Sequence, residues 1–249
     1  MAKRFYQFNK QAQAQNVRGR NVAPGGGQSS EDDEIIDLAE VTHNAQDFYE
    51  KHQTVILSVI GGLALLVGGY FIYKYIFLEP KEKAAVEAIY QAEQQFARDS
   101  FSLALENPGG GFEGFLDIID NYSGTNTANT AKYYAGISYL NLGKFESAIE
   151  YLNDYSPKDD ITPAMKFGAL GDAYAETGDF DQAASMYKKA AGENPNEVIT
   201  PYYLNKLAML QFKQNDTEGA LATLQKIINE YPLSIESEEA EKLMARLEK

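Results

Sequence analysis

Apolar and polar positions divide this chain into a long uncharged run and a series of short periodic segments. No charge occurs in the twenty residues from Thr54 to Tyr73, and Lys74 is the one charge before Glu79. As a helix, Thr54–Leu78 would span roughly 37 Å at ~1.5 Å per residue, enough to cross a ~30 Å hydrocarbon core. The pattern therefore predicts a transmembrane helix over residues 54–78. Lys74 can snorkel to the interface, where Tyr70, Tyr73 and Tyr75 suit an aromatic belt. The run is longer than a signal-peptide core, and Leu78-Glu79-Pro80-Lys81 offers no small-residue cleavage site, so the segment reads as an uncleaved signal anchor. Before it, Ile35, Leu38, Thr42, Ala45 and Phe48 or Tyr49 recur at helical spacing and predict a juxtamembrane amphipathic helix over 34–53. Residues 1–33 are rich in Gln, Asn, Gly and Ser, contain Pro24-Gly25-Gly26-Gly27, and predict a disordered tail.

Beyond Pro80 the periodicity is helical, and residues 79–249 predict an all-α domain. Turn signals interrupt it at Asn107-Pro108-Gly109, Ser123-Gly124, Gly143, Ser156-Pro157, Gly178, Asn194-Pro195, Asn215 and Tyr231-Pro232. Thr162-Pro163 and Thr200-Pro201 each place a capping hydroxyl before a proline that suits a first helical turn. The clearest unit, Ala164–Pro195, carries Phe167, Leu170-Gly171, Tyr174, Gly178, Phe180, Ala183, Tyr187, Ala190 and Pro195. This order of large, small and turn positions resembles the tetratricopeptide repeat. Gly171 and Ala183 are expected to face each other where two helices cross, with aromatics around them. A second unit begins 35 residues earlier, with Gly136, Tyr139, Gly143, Phe145 and Ala148. A degenerate third follows after 37 residues, with Leu207-Ala208, Ala220, Leu224 and Pro232. An N-terminal pair is expected from one helix around Ala84–Leu105 and another around Phe112–Tyr122, and Ser234–Lys249 suits a capping helix. The predicted fold is all-α: one N-terminal transmembrane helix followed by a tetratricopeptide-repeat α-solenoid with a C-terminal cap.

Charge and composition narrow the chemistry. The formal net charge is −14, which argues against nucleic acid as a partner. The first thirty residues nevertheless hold five bases (Lys3, Arg4, Lys10, Arg18, Arg20) and no acid, whereas Lys81–Lys249 carries 27 acids against 15 bases. Cysteine is absent, and the two histidines, His43 and His52, both precede the apolar run. The C-terminal domain thus has no material for a histidine triad or a nitrogen- or sulfur-ligated metal site. No catalytic residue, metal, cofactor or small-molecule substrate is expected. Gly109-Gly110-Gly111-Phe112-Glu113-Gly114 matches a dinucleotide fingerprint in letters, but a helix precedes it where that motif needs a strand. Asp159-Asp160 reads as a solvated loop between repeats. In the membrane helix, Gly61, Gly62, Gly68 and Gly69 would let a partner helix approach closely.

The whole layout resembles the ancillary subunits of the bacterial Sec translocon, in a Bacteroidetes-type version. The resemblance rests on Phe48-Tyr49-Glu50-Lys51 leading into a Gly-rich anchor, and on the helix Ala84–Ala97 after it. It rests also on Asp120-Asn121-Tyr122-Ser123-Gly124-Thr125 followed by Lys132-Tyr133-Tyr134-Ala135-Gly136. It implies a cytosolic tail, an inner-membrane anchor, a periplasmic domain, and translocon subunits, periplasmic chaperones or client chains as partners. In such repeats ligands lie on the concave face, made by the first helix of each pair. That face would hold Tyr133, Ile137 and Asn141 in the first unit, Met165 and Asp172 in the second, and Tyr202, Asn205 and Met209 in the third. The carboxylate clamp of other repeat proteins is missing; Gly168 and Asp172 stand at two of its positions. Tyr and Met there suit apolar segments. An organiser of envelope or division complexes, and a cytosol-facing receptor of opposite topology, are the alternatives. Beside the membrane the positive count is lower on the N-side (Lys51) than on the C-side (Lys74, Lys81, Lys83). The short tail as a whole holds six bases, and long domains translocate largely regardless of charge, so N-terminus-in is favoured.

Overall fold

The computed structural model describes residues 38–247, and the side chains of residues 48–246. The basic tail and the first residues of the juxtamembrane segment lie outside the described residues, as do Glu248 and Lys249. Helix α1 spans Leu38–Ile72 and passes through a π-helical turn, Tyr73–Leu78, into α2, Glu79–Phe96. Pro80 accounts for the wider turn. It has no N–H to give a carbonyl four residues back, and its ring would crowd that carbonyl. Shifting the bonds by one residue, with the Glu79 N–H donating to the Lys74 carbonyl, lets the helix continue. From Val55 to Phe77 no side chain is buried. This is a helix long and apolar enough to cross a membrane, consistent with single-pass anchoring.

The remaining helices are α3 (Phe101–Glu106), α4 (Phe115–Asn121), α5 (Asn126–Asn141), α6 (Phe145–Asp154), α7 (Thr162–Thr177), α8 (Phe180–Gly192), α9 (Ile199–Lys213), α10 (Thr217–Glu230) and α11 (Ile235–Leu247). No strand occurs among the described residues. Hairpins α5–α6, α7–α8 and α9–α10 stack in order, and each second helix also packs on the first helix of the next pair. First helices touch one another along the stack, α2 to α5, α5 to α7 and α7 to α9, so they form one layer of an α-solenoid. Helix α11 covers the last pair by packing on α9 and α10.

The repeat can be read in space. Gly143, Gly178 and Asn215 turn each hairpin with positive φ (72°, 83° and 63°). A Cβ on Gly136 would come within 2.6 Å of Leu152, and one on Gly171 within 2.5 Å of the Tyr187 ring. The third unit has Ala208 and Leu224, both fully buried, in these places. Ala148, Ala183 and Ala220 are buried to 0% in the second helices, where a larger side chain would separate the pairs. The Tyr187 ring takes the volume that Gly171 leaves at this crossing.

Two expectations change. The helix expected over Ala84–Leu105 breaks at Ala97–Ser100, where Asp99 takes φ +55°. Phe96 and Phe101 both enter one aromatic cluster, 5.5 Å apart, with Phe96 4.9 Å from Tyr134 and Phe115 stacked on Tyr134 at 5.2 Å. Five residues apart on a continuous helix, they would point roughly 140° apart at 3.6 residues per turn. The capping hydroxyls of Thr162 and Thr200 also yield to neighbours. The Asn196 side-chain oxygen accepts from the Val198 and Ile199 N–H groups at 3.0 and 2.8 Å. The Asp159 carboxylate accepts from those of Thr162 and Ile161 at 2.7 and 2.8 Å. Its bonds to Thr162, then to Ile161, hold the Asp159 carboxyl below its usual pKa.

Candidate protein-binding face

The layer of first helices carries the side chains singled out in the sequence, and the structure gives them different surroundings. On α5, the Tyr133 ring is half-buried, 5.3 Å from Tyr155 and 6.1 Å from Tyr134. Burial, then the two neighbouring tyrosines, pushes its pKa up to about 12. Ile137 packs against the cluster around Leu152, Leu170 and Met186. Asn141 is exposed and donates to the Ile137 carbonyl at 2.8 Å. On α7, Met165 is exposed. On α9, Asn205 is half-buried, Met209 exposed, and Tyr202 45% exposed with its ring 5.1 Å from Tyr203.

Asp172 is already engaged within the chain. Its carboxylate accepts from the Tyr187 hydroxyl at 2.6 Å and from Lys206 Nζ at 2.7 and 2.8 Å. Lys206 also lies 5.4 Å from the Tyr202 ring and 5.9 Å from the Tyr187 ring. Burial opposes its charge, but the hydrogen bond and charge of Asp172 prevail and hold its pKa above the ordinary lysine value. Burial, then Asp172, raises Tyr187, and burial raises Tyr203. Gly168 is needed because a Cβ there would sit 2.1 Å from the Tyr203 ring. The face is thus an aromatic layer with a neutralised Asp172–Lys206 pair at its centre and Tyr202, Met165 and Met209 outermost.

Lys206 is not among the residues singled out in the sequence, though a signal exists. It follows Asp172 by 34 residues, three fewer than the 37-residue step between these two units, so it lies about one turn before the position on the next first helix that matches Asp172. Gly61, Gly62, Gly68 and Gly69 have no heavy atom within 4 Å of a built Cβ. Gly109, Gly110 and Gly111 all take positive φ in the α3–α4 loop, with no strand before them. Among the described residues no group of His, Asp and Glu converges as a metal site. A cleft of about 580 Å³ lies elsewhere, between Ser123–Ala128 and Tyr151–Lys158. It opens at inter-helix loops and brings none of the predicted face residues together, so it is no competitor for that face.

Comparison with known families agrees with this geometry. Tetratricopeptide-repeat models match residues 130–156 and 174–247. The first match covers most of α5, its turn and α6, and the second runs from the end of α7 through α11. A comparison with curated proteins finds no match. With hairpins stacked at this period and two repeat models matched, the chain carries tetratricopeptide repeats, a repeat type that generally binds other proteins.

Proposed function

We propose that this protein is a non-catalytic, membrane-anchored scaffold or chaperone-like adaptor ancillary to the Sec translocon and to periplasmic chaperones. Its tail lies in the cytoplasm, its helix crosses the bacterial inner membrane once, and its repeat domain is periplasmic. The observation that carries the binding role is the exposure of Tyr202, Met165 and Met209 on the layer of first helices, beside an ion pair that leaves little net charge. Such a face suits apolar segments of emerging or chaperone-bound chains, because flexible Met adapts to varied apolar shapes and Tyr offers a large, rigid contact area at little entropic cost. The four membrane glycines would admit a translocon helix at close range.

Two experiments test this. A reporter active only in the periplasm should work when fused after Lys249 and fail before Met1; the reverse would favour a cytosol-facing receptor. Photocrosslinking in cells should capture client chains from the first-helix layer. Replacing Tyr202 and Met209 by Ala should abolish those crosslinks, since truncating a good aromatic anchor costs about 2 kcal/mol or more, while co-purification with the translocon persists. Undiminished crosslinks would remove this face as the binding surface.

A further inference from the structure

In a stack of hairpins, the loops that lead from one pair to the next all lie along one edge. Here a series of hydrogen bonds ties those loops to the exit of the membrane helix. Lys81, three residues after the last apolar residue Leu78, donates to the Ser123 carbonyl at 2.9 Å. Glu82 accepts from the Asn126 and Thr127 N–H groups at 2.6 and 2.9 Å and from the Thr127 hydroxyl at 2.6 Å, occupying the N-terminus of α5. Asn129 and Ser156 exchange two bonds of 2.8 and 3.0 Å, and Lys158 donates to Asn126. Asn194 reaches the Asp160 carbonyl at 3.5 Å, the weakest link. Ser123 also shares a small cleft with Tyr73, Phe77 and Leu78 at the end of the apolar run.

Large apolar side chains stand out from this same edge, one or two per inter-pair loop. Ile161 is 54% exposed, Val198 74%, Leu233 95% and Ile235 75%. An apolar residue just before a helix often staples onto its first turns, but here more than half of each side chain stays exposed. The opposite edge differs. Its turns are Gly143-Lys144, Gly178-Asp179 and Asn215-Asp216, and Leu142 there is only 38% exposed.

We propose that the edge from which the membrane helix departs rests on the bilayer surface, with Ile161, Val198, Leu233 and Ile235 entering its interfacial layer. No linker separates that helix from α2, whose first turn is bonded to the edge, so the loops are held at headgroup height. Apolar side chains at that level gain from an interface whose depth is about 5–10 Å. The loops also carry Lys158, Asp159, Asp160, Glu193 and Glu197, with Glu236 in the first turn of α11, an acidic balance. The contact is therefore apolar and does not need anionic lipid. It sets the first-helix layer at a fixed height and tilt above the membrane.

This inference rests on the reading of α1 as a membrane anchor, and the test separates the two. The chain has no cysteine, so single sites can be labelled. Full-length variants Ile161→Cys, Val198→Cys and Leu233→Cys, with Asp181→Cys and Glu218→Cys on the opposite edge, would carry a small fluorophore. Each would be reconstituted into phosphatidylcholine vesicles containing a headgroup-level nitroxide lipid. The three edge labels should lose most of their fluorescence to the nitroxide and resist aqueous iodide, and the two opposite labels should do the reverse. Adding phosphatidylglycerol should change neither. Edge labels that behave like the opposite ones, or that need anionic lipid, overturn the proposal. So do edge labels shielded only in native membranes, which would mean that another protein covers them. Vesicle flotation with alkaline extraction reports the anchor: failure to insert overturns both readings, and insertion with aqueous edge labels overturns this one alone.

Discussion

Gly171 and Gly62 are the same residue on two helices and mean opposite things. At Gly171 the missing Cβ is filled from within the chain, since the Tyr187 ring would lie 2.5 Å from it. At Gly62, as at Gly61, Gly68 and Gly69, nothing approaches within 4 Å. Repeat glycines are demanded by the fold. Membrane glycines can be demanded only by lipid or by another helix, because no part of the described chain uses the space they leave. A small residue in a helix therefore reports on the fold only when its neighbour belongs to the same chain.

The sharpest break of this contrast is substitution at both places. Gly171→Leu should cost about 1–3 kcal/mol or more by overpacking against Tyr187, and Ala183→Leu should fall in the same range. The loss should spread to neighbouring hairpins, because each buries the next. Gly62→Leu with Gly69→Leu should leave the melting of the repeat domain and membrane insertion unchanged, and should abolish only co-purification with a partner. Calorimetry of the full chain in detergent reads the first effect. An unaltered transition in Gly171→Leu would mean that Tyr187 does not occupy that space.

Next in size is the charge pair. Lys206→Met removes one partner of a half-buried carboxylate and should cost about 1 kcal/mol. The double variant with Asp172→Asn should lose less than the two single losses together, since the residues are coupled. Additive losses by chemical denaturation would show that the pair does not form in solution.

Alkaline titration separates the two regions in a different way. A lysine whose folded pKa is raised contributes stability that is complete below its unfolded value of about 10.4 and is lost as pH rises through the folded value. Tyr133 acts in the same direction: folding holds it protonated up to about 12, so its contribution begins to fall near the unfolded tyrosine value of about 10. The repeat domain should thus lose stability from roughly pH 10 upward while the membrane helix keeps its circular dichroism. A melting temperature flat to pH 12 would contradict the buried tyrosine and Asp172–Lys206 environments.

The smallest effect is that of a glycine at the third hairpin turn. Asn215 takes φ +63° where the other two turns use glycine. Asn215→Gly should change stability by only a few tenths of a kcal/mol, whereas Asn215→Val should cost about 1–3 kcal/mol because a β-branched residue resists that region. Equal melting of the two variants would place the turn elsewhere.

Much of the fold was legible because it repeats. Glycine or alanine at 136, 171 and 208 faces Leu152, Tyr187 and Leu224, and both series keep the same 35- and 37-residue steps. The N-terminal part was less legible, because α2, α3 and α4 have no counterpart to compare. Their break at Asp99 is enforced by the aromatic cluster around Phe96, Phe101, Phe115 and Tyr134, which joins residues distant in sequence. The candidate face divides in the same manner. Periodicity can assign Tyr202 and Met209 to a first helix, but it cannot foresee that Asp172 is consumed by Tyr187 and Lys206.

The sequence by itself determined the long apolar helix, the helical class, the repeat period and the small positions within each pair. These depend on spacing along one helix or on a repeated unit, and both are local properties. Tertiary structure alone decided which small residue meets which ring, that Asp159 and Asn196 cap where threonines were expected, and that Lys81 and Glu82 tie the membrane helix's exit to the loop edge. Those outcomes depend on which distant groups come within hydrogen-bond or van der Waals range, and that range is set by the packing of whole helices.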